Sequence, residues 1–328
     1  MENDSGMSKT VRTLALSILL LVPVVAGASG EPAPLAPGIQ LFEAKKYEEA
    51  RKFFAPRAAA SAEAAFYLGR TLIALRQFAK ASEALEKAVA LAPKDAEAHF
   101  WLGRAYGQEA MESNVLKQAG LAKKTKAEFE KAVALDPGHL GARGDLVQYY
   151  LLAPGFMGGS VDKAREQAAE IKKRDSVRGS LALVSVHLDQ KDTAAAEREL
   201  KSAIQATPAD PRPRLLLGAV YQGVERWNDA FEAFEAILKA NPQNFDALYQ
   251  VGKTGVLSGQ RLDRAEESLK RYLGSTPGPE SAPLPNAHFR LGQVYEKKGD
   301  KARARTHYQQ AVKMDPNLKE AREALKKL

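Results

Sequence analysis

Between residues 211 and 244, apolar side chains recur at helical spacing in two runs. Leu217 and Tyr221 stand four apart in the first run, Ala230, Phe234 and Ile237 four and three apart in the second, and Pro242 closes the stretch. This spacing puts the apolar groups on one stripe of each of two predicted helices. Proline, lacking an amide proton and disfavouring helix in the residue before it, ends the second. The arrangement returns at 285–318 with Leu291-Gly292, Tyr295, Ala304, Tyr308, Ala311 and Pro316.

With Leu217-Gly218 at positions seven and eight of a 34-residue unit, the rest of the chain falls into the same register. Residues 62–95 supply Leu68-Gly69, Leu72, Ala81, Leu85, Ala88 and Pro93, and 177–210 supply Leu183-Val184, Ala196, Leu200, Ala203 and Pro208. The unit from 96 opens with Leu102-Gly103 and Tyr106 and resumes at Phe129, Ala132 and Pro137 after about ten inserted residues. The unit from 140 has Leu146-Val147, Tyr150, Ala164 and Ile171 around a longer loop at Pro154–Gly159; the unit from 245 has Val251-Gly252, Ala265, Leu269 and Pro277. An abbreviated first unit keeps Gly38, Leu41, Ala50 and Phe54. One helix pair cannot bury its own apolar face, but stacking it on neighbours can. Gly218 and Ala230 are small where two helices must approach closely.

This pattern resembles the tetratricopeptide repeat (TPR) family, and the resemblance runs from Gly38 to Asn317. It implies an all-α fold: a right-handed superhelical solenoid of about eight helix-turn-helix repeats, with units near 38–61, 62–95, 96–139, 140–176, 177–210, 211–244, 245–284 and 285–317. Residues 318–328 are expected to form a capping helix, with Ala321, Leu325 and Leu328 on one face and lysines elsewhere. The insert Gly107–Lys124, with Met111, Val115 and Leu116 at roughly helical spacing, is expected to be a solvated extension packed on itself.

The N-terminus reads differently. Lys9 and Arg12 precede an apolar run, Leu14–Ala26, followed by Ala26 and Ala28 in the A-x-A spacing of a signal-peptidase site. Thirteen helical residues cover roughly 20 Å, short of the ~30 Å of bilayer hydrocarbon. Residues 1–28 are therefore expected to be a cleaved signal peptide and 29–37 a proline-rich linker, making the protein exported, in a bacterial periplasm, with no stable membrane span after processing.

Composition narrows the chemistry. The absence of cysteine rules out disulfides, thiol nucleophiles and thiolate-ligated metals. The net charge of +8 is concentrated late, residues 285–328 holding 11 Lys/Arg against 5 Asp/Glu, so the basic C-terminal surface is a candidate for contact with an acidic partner or a membrane surface. A local surplus on an exported chain does not point to nucleic acid.

The histidines His99, His139, His187, His288 and His307 are scattered, no two at metal-ligand spacing, and are expected to be structural. Gly252-Lys253-Thr254 lacks the preceding glycine of a phosphate loop, Ala247 standing there, and the register puts it inside a helix. Gly155, Gly158 and Gly159 before Ser160 read as a lengthened loop. No G-x-S-x-G or H-E-x-x-H pattern is present. Neither a catalytic residue nor a cofactor or metal site is expected.

What the resemblance does imply is a concave face lined by positions two, five, nine, twelve and thirteen of each first helix. Position five carries Phe66, Phe100, Tyr249 and Phe289; position nine carries Arg70, Arg104, Gln148, Lys253 and Gln293. An aromatic four residues before a cation lies beside it on a helix, so Phe66/Arg70 and Phe100/Arg104 should form a ladder suited to carboxylates and apolar side chains. Equally weighted is that the aromatics pack between first helices with the arginines covering them. Chaperone-binding members of the family use Lys-x3-Asn at positions five and nine; here the pairs are Phe-x3-Arg and Tyr-x3-Lys. The expected function is a non-enzymatic adaptor holding a protein or peptide in this groove. The alternatives are an accessory subunit of an envelope enzyme or polysaccharide-export machine, or a cytoplasmic regulator if the N-terminus is not a signal.

Overall fold

The computed structural model describes residues 35–278 and 281–328. The expected signal peptide and the linker up to residue 34 lie outside them. Helix α1 (Ala36–Glu43) starts one residue before the expected end of the linker, with Pro37 in its first turn, where a missing amide proton costs no hydrogen bond. It pairs with α2 (Tyr47–Phe54). The following pairs are α3 (Ala62–Ala74) with α4 (Phe78–Leu91), α5 (Ala96–Glu112) with α6 (Val115–Leu135), and α7 (Leu140–Leu152) with α8 (Val161–Lys172). Then come α9 (Ser176–Asp189) with α10 (Thr193–Ala206), α11 (Pro211–Gly223) with α12 (Trp227–Ala240), α13 (Phe245–Ser258) with α14 (Leu262–Leu273), and α15 (Leu284–Lys297) with α16 (Lys301–Met314). The last helix, α17 (Lys319–Lys327), packs on the final pair through buried Ala321 and half-buried Leu325. The described residues contain no strand, and the fold is a helical-repeat solenoid.

Each joint has a local cause. Proline ends one unit and, two residues on, Asp95, Asp210 or Asn244 caps the next helix, its side chain accepting a backbone N–H of the first turn. Within units the turn needs one residue in the left-handed region: Lys45, Arg76, Lys191 and Glu225 adopt φ of 56–58°, and Gly299 sits at φ 82°. Of the two units with inserts, the first turns through Asn114, which caps α6, with no such residue, and the second places Gly158 at φ 92° before Ser160 caps α8.

Position eight is where the helices of a unit touch. A Cβ on Gly218 would lie 2.4 Å from the Phe234 ring; Gly103 faces Phe129, Gly252 Leu269 and Gly292 Tyr308 in the same way. First helices of successive units also meet, as α3 with α5, α9 with α11 and α13 with α15. The core consequently runs from unit to unit, its longest buried cluster extending from Val184 to Tyr308.

Tyrosine at position eleven, read from sequence as an apolar group, has a second task. Its hydroxyl donates to a glutamate on the second helix of the preceding unit: Tyr106 to Glu86 (2.5 Å), Tyr150 to Glu130 (2.8 Å), Tyr221 to Glu197 (2.8 Å) and Tyr295 to Glu266 (2.9 Å). Hydrogen bonds to ionised acceptors are about twice as strong as neutral ones. Burial resists ionisation of Glu266, yet hydrogen bonds from Lys270, Lys298 and Tyr295 hold its carboxyl at about 2.

The histidines are structural in different ways. His139 caps α7, its Nδ1 accepting from Ala142 N–H, and His99 is buried between Glu128 and the Pro93 carbonyl. His288 and His307, unconnected by sequence reasoning, meet with their Nδ1 atoms 3.1 Å apart, and His307 stacks on Tyr295. Burial first, then His288, Lys270 and Arg303, push His307 down to about 4, Glu266 opposing; burial also lowers His288. Between that value and the ordinary 6.5 the unfolded chain binds more protons than the folded one, so stability is full above about 6.5 and is lost as pH falls toward 4. Part of the pair is solvent-screened, so the loss is expected to be roughly 1–2 kcal/mol. Urea titrations at pH 7.5 and 4.8 should show this destabilisation, and His307→Phe should reduce it; an unchanged pH dependence in the variant would place its origin elsewhere.

Candidate functional site

The groove residues expected from sequence fall into two groups separated by the first helices of two units. In the first group Arg70, on α3, lies among four rings. Its guanidinium carbon is 4.6 Å from the centroid of Trp101, 4.8 Å from Phe42, 5.4 Å from Phe66 and 5.7 Å from Tyr67. The aromatic faces attract the cation but neutralise none of its charge. Among the described residues no carboxylate pairs with Arg70, and its buried Nε has no hydrogen-bond partner. A buried donor left unpaired costs about 1–3 kcal/mol. With Nε enclosed, Arg70 has its outer guanidinium nitrogens to offer an incoming acceptor.

Arg104, one unit on, is already neutralised. Its Nε donates to Asp145 at 2.7 Å and its Nη2 at 3.4 Å, while the guanidinium covers Phe100 at 4.6 Å. Phe100 is 6% exposed, packed against Phe129 and His139, and so belongs to the core rather than the groove surface. Trp101 is instead the wall shared by Arg70 and Arg104, with its indole N–H donated to Glu97. Sequence reasoning missed Trp101 because it stands at position six, and missed Asp145 because nothing in the register couples it to Arg104. Trp101, Arg104, Asp145 and the exposed Gln148 bound an open cavity of about 630 Å³, which Arg70 and Phe100 do not line; its volume is in the range of ligand sites.

The second group lies on α13 and α15. Tyr249 and Phe289 are half-buried, their rings tilted against those of Tyr272 and Tyr308. Burial, and then the charge of Arg290, lower the Lys253 amine below its ordinary value. Arg290 donates to Gln293 at 2.9 Å. Among the described residues neither Lys253 nor Arg290 has an ion-pair partner, and each cation stands within reach of the other's charge. Arg290, at position six, was outside the sequence reading. Between the two groups the corresponding residues are uncharged: Leu181 and Ser185 on α9, Leu215 and Ala219 on α11. Gly252–Thr254 is helical, with Thr254 buried and donating to the Gln250 carbonyl, as its place in the register requires.

No group of three or more His, Cys, Asp or Glu side chains suited to a metal ion occurs among the described residues, and no described helix is long and apolar enough to cross a membrane.

Three sequence profiles match the chain: two described as "Tetratricopeptide repeat", over residues 285–318 and 187–250, and one described as "TPR repeat", over 69–109. The chain is a tetratricopeptide-repeat protein. The solved structure of a tetratricopeptide repeat protein from Parabacteroides merdae superposes with a TM-score of 0.51 at 14% identity, covering 81% of this chain and 97% of that one. A monomeric IFIT1 mutant with Gppp-AAAA superposes at 0.50 and 14% identity, covering 88% and 69%. At such identities the likeness is one of fold. A curated relative, cellulose synthase operon protein C of Xanthomonas axonopodis pv. citri, is 27% identical over 258 residues; the match spans 73% of this chain and 16% of that protein. Tetratricopeptide repeats form a protein-interaction scaffold, and proteins or peptides are what such a scaffold engages. In this TPR protein Arg70 on α3 and Lys253 and Arg290 on α13 and α15 have no ion-pair partner among the described residues.

Proposed function

We propose that the protein is an exported scaffold that holds an extended, acidic segment of a partner protein along its concave face. Arg70 carries this reading: a cation walled by four aromatic rings, with a buried donor and no paired carboxylate among the described residues. Lys253 and Arg290 supply a second cationic point, and Leu181, Ser185, Leu215 and Ala219 between it and Arg70 leave room for apolar side chains. A partner carboxylate at either end replaces water on a partly desolvated cation, which strengthens the pair relative to an exposed one. Fluorescence anisotropy with labelled peptides that alternate Glu and Leu, against matched peptides with Gln for Glu, tests the reading. The acidic series should bind at least ~10-fold more tightly; equal binding of the two would sink it.

Export rests on Lys9, Arg12, the Leu14–Ala26 run and the Ala26-x-Ala28 site. Protein isolated from its native host should begin near Ser29, and an intact Met1 or Met7 terminus in a cytoplasmic fraction would overturn it. A second reading, an accessory part of a polysaccharide-producing envelope machine, is favoured by the alignment with the cellulose synthase operon protein. In that case the acidic segment belongs to another component of the machine.

A further inference from the structure

The two units with inserts between or within their own helix pair stand side by side. In the first, the insert lengthens α5 to Glu112 and starts α6 at Val115; in the second, the α7–α8 connection contains a 3-10 turn, Gly155–Met157, that packs on α6. Tyr149 holds this connection by donating its hydroxyl to the Met157 carbonyl at 2.9 Å, and the Ser160 N–H reaches the Tyr150 carbonyl. The insert was expected to pack on itself, but its apolar residues do not. Leu116 is 91% exposed, Val115 80% and Met111 75%; across from them Phe156 is 87% and Leu152 81% exposed. Every other exposed large apolar side chain among the described residues is below half exposure.

Val115, Leu116, Leu152 and Phe156 bound a groove of about 710 Å³, while Met111 lines the neighbouring cavity beside Trp101. Its floor is small, with Ala119, Ala122 and Ala153, and its ridges are large, with Leu116, Leu152 and Phe156; no charged side chain lines it. A trough of alanines between tall apolar ridges is the shape into which the ridge of another helix fits. Exposed apolar patches of this concentration mark interaction surfaces. The two segments that form it carry charge of one sign only. Residues 113–127 carry Lys117, Lys123, Lys124 and Lys126 and no carboxylate, and residues 151–161 carry no charge at all. Lys117, Lys124 and Lys126 are paired with Glu109, Glu86 and Glu130, but Lys123 is exposed without an ion-pair partner among the described residues. Seven residues from Leu116, it stands on the same side of α6, two turns along the rim.

We propose that this groove docks an amphipathic helix of a partner protein, apolar on the face laid over Ala119 and Ala122 and carrying carboxylates on the margin that meets Lys123. It is a second docking surface, separate in chemistry from the cationic concave face: apolar contact supplies the affinity and Lys123 the orientation. Tyr149 borders both cavities, so one partner can occupy the two in sequence.

The test uses the full chain and labelled 18-residue helical peptides with leucines at i, i+3, i+4 and i+7 and either glutamate or lysine along the margin. The glutamate peptide should bind at least tenfold more tightly than the lysine peptide. Leu116→Ser with Phe156→Ser should abolish that binding while leaving circular dichroism and melting unchanged, and Lys123→Glu should reverse the peptide preference. Three results overturn the proposal: peptide binding that survives the double substitution; sedimentation with phosphatidylglycerol vesicles, lost in the double variant, without binding of either peptide; and a wild-type dimer in sedimentation velocity that the double substitution converts to monomer.

Discussion

The same substitution is expected to move stability in opposite directions at two glycines of this chain. Gly218→Ala should destabilise by about 1–3 kcal/mol, because an added Cβ lies 2.4 Å from the Phe234 ring and that ring is fully buried. Alanine gains about 1 kcal/mol over glycine in a helix interior, so only a severe clash can reverse the sign. Gly120→Ala, inside α6 with nothing within 4 Å of the new Cβ, has no such opposition and should stabilise by about 0.5–1 kcal/mol. Combining Gly218→Ala with Phe234→Val should cost less than the two changes summed, since the smaller side chain removes the atom the Cβ meets. Urea denaturation of the four proteins decides the point. Additive effects at 218 and 234, or a stable Gly218→Ala, would mean that position eight is not the contact between the helices of a unit.

The repeat was legible in the sequence because its physics is local and recurs. Leu217, Tyr221, Phe234 and Pro242 each act through their own helix or its nearest neighbour, and the same requirement returns in every unit. The two inserts were visible as lengths but not as a shared surface. Their apposition depends on the stacking of one unit on the next, which spacing within a unit does not encode. The same limit explains the site. Positions five and nine gave Arg70 its aromatic neighbour Phe66, but Phe42 and Trp101 come from the units on either side. Arg70 and Arg104 are equivalent by register and differ only because Asp145, 41 residues further on, reaches one of them. Tyr221 shows the converse: its ring was readable as core, while its hydrogen bond to Glu197 crosses a unit boundary.

That difference between two arginines leads to the largest expected effect on binding. Arg70→Met keeps an unbranched stem against Phe42, Phe66 and Trp101 and removes only the charge and the donors, so folding stability should change little. Affinity for the glutamate–leucine peptide should fall about 10- to 100-fold, in line with the 2–5 kcal/mol lost on truncating one partner of a buried, hydrogen-bonded charge pair, reduced for partial exposure. Arg104→Met should matter less at the ligand, because Asp145 already occupies its guanidinium; the 43% exposed side chain contributes chiefly to the Trp101 wall. Lys253→Met should weaken the peptide from its other end, and together with Arg70→Met the losses should add, the two sites sharing no neighbour. Neutralising Lys319, Lys326 and Lys327 on α17 is the control for long-range charge: it should lower the association rate and its salt dependence without changing the peptide's preference for glutamate over glutamine. If the α17 variant loses binding while Arg70→Met retains it, the basic C-terminal surface is the docking site and the concave face is not.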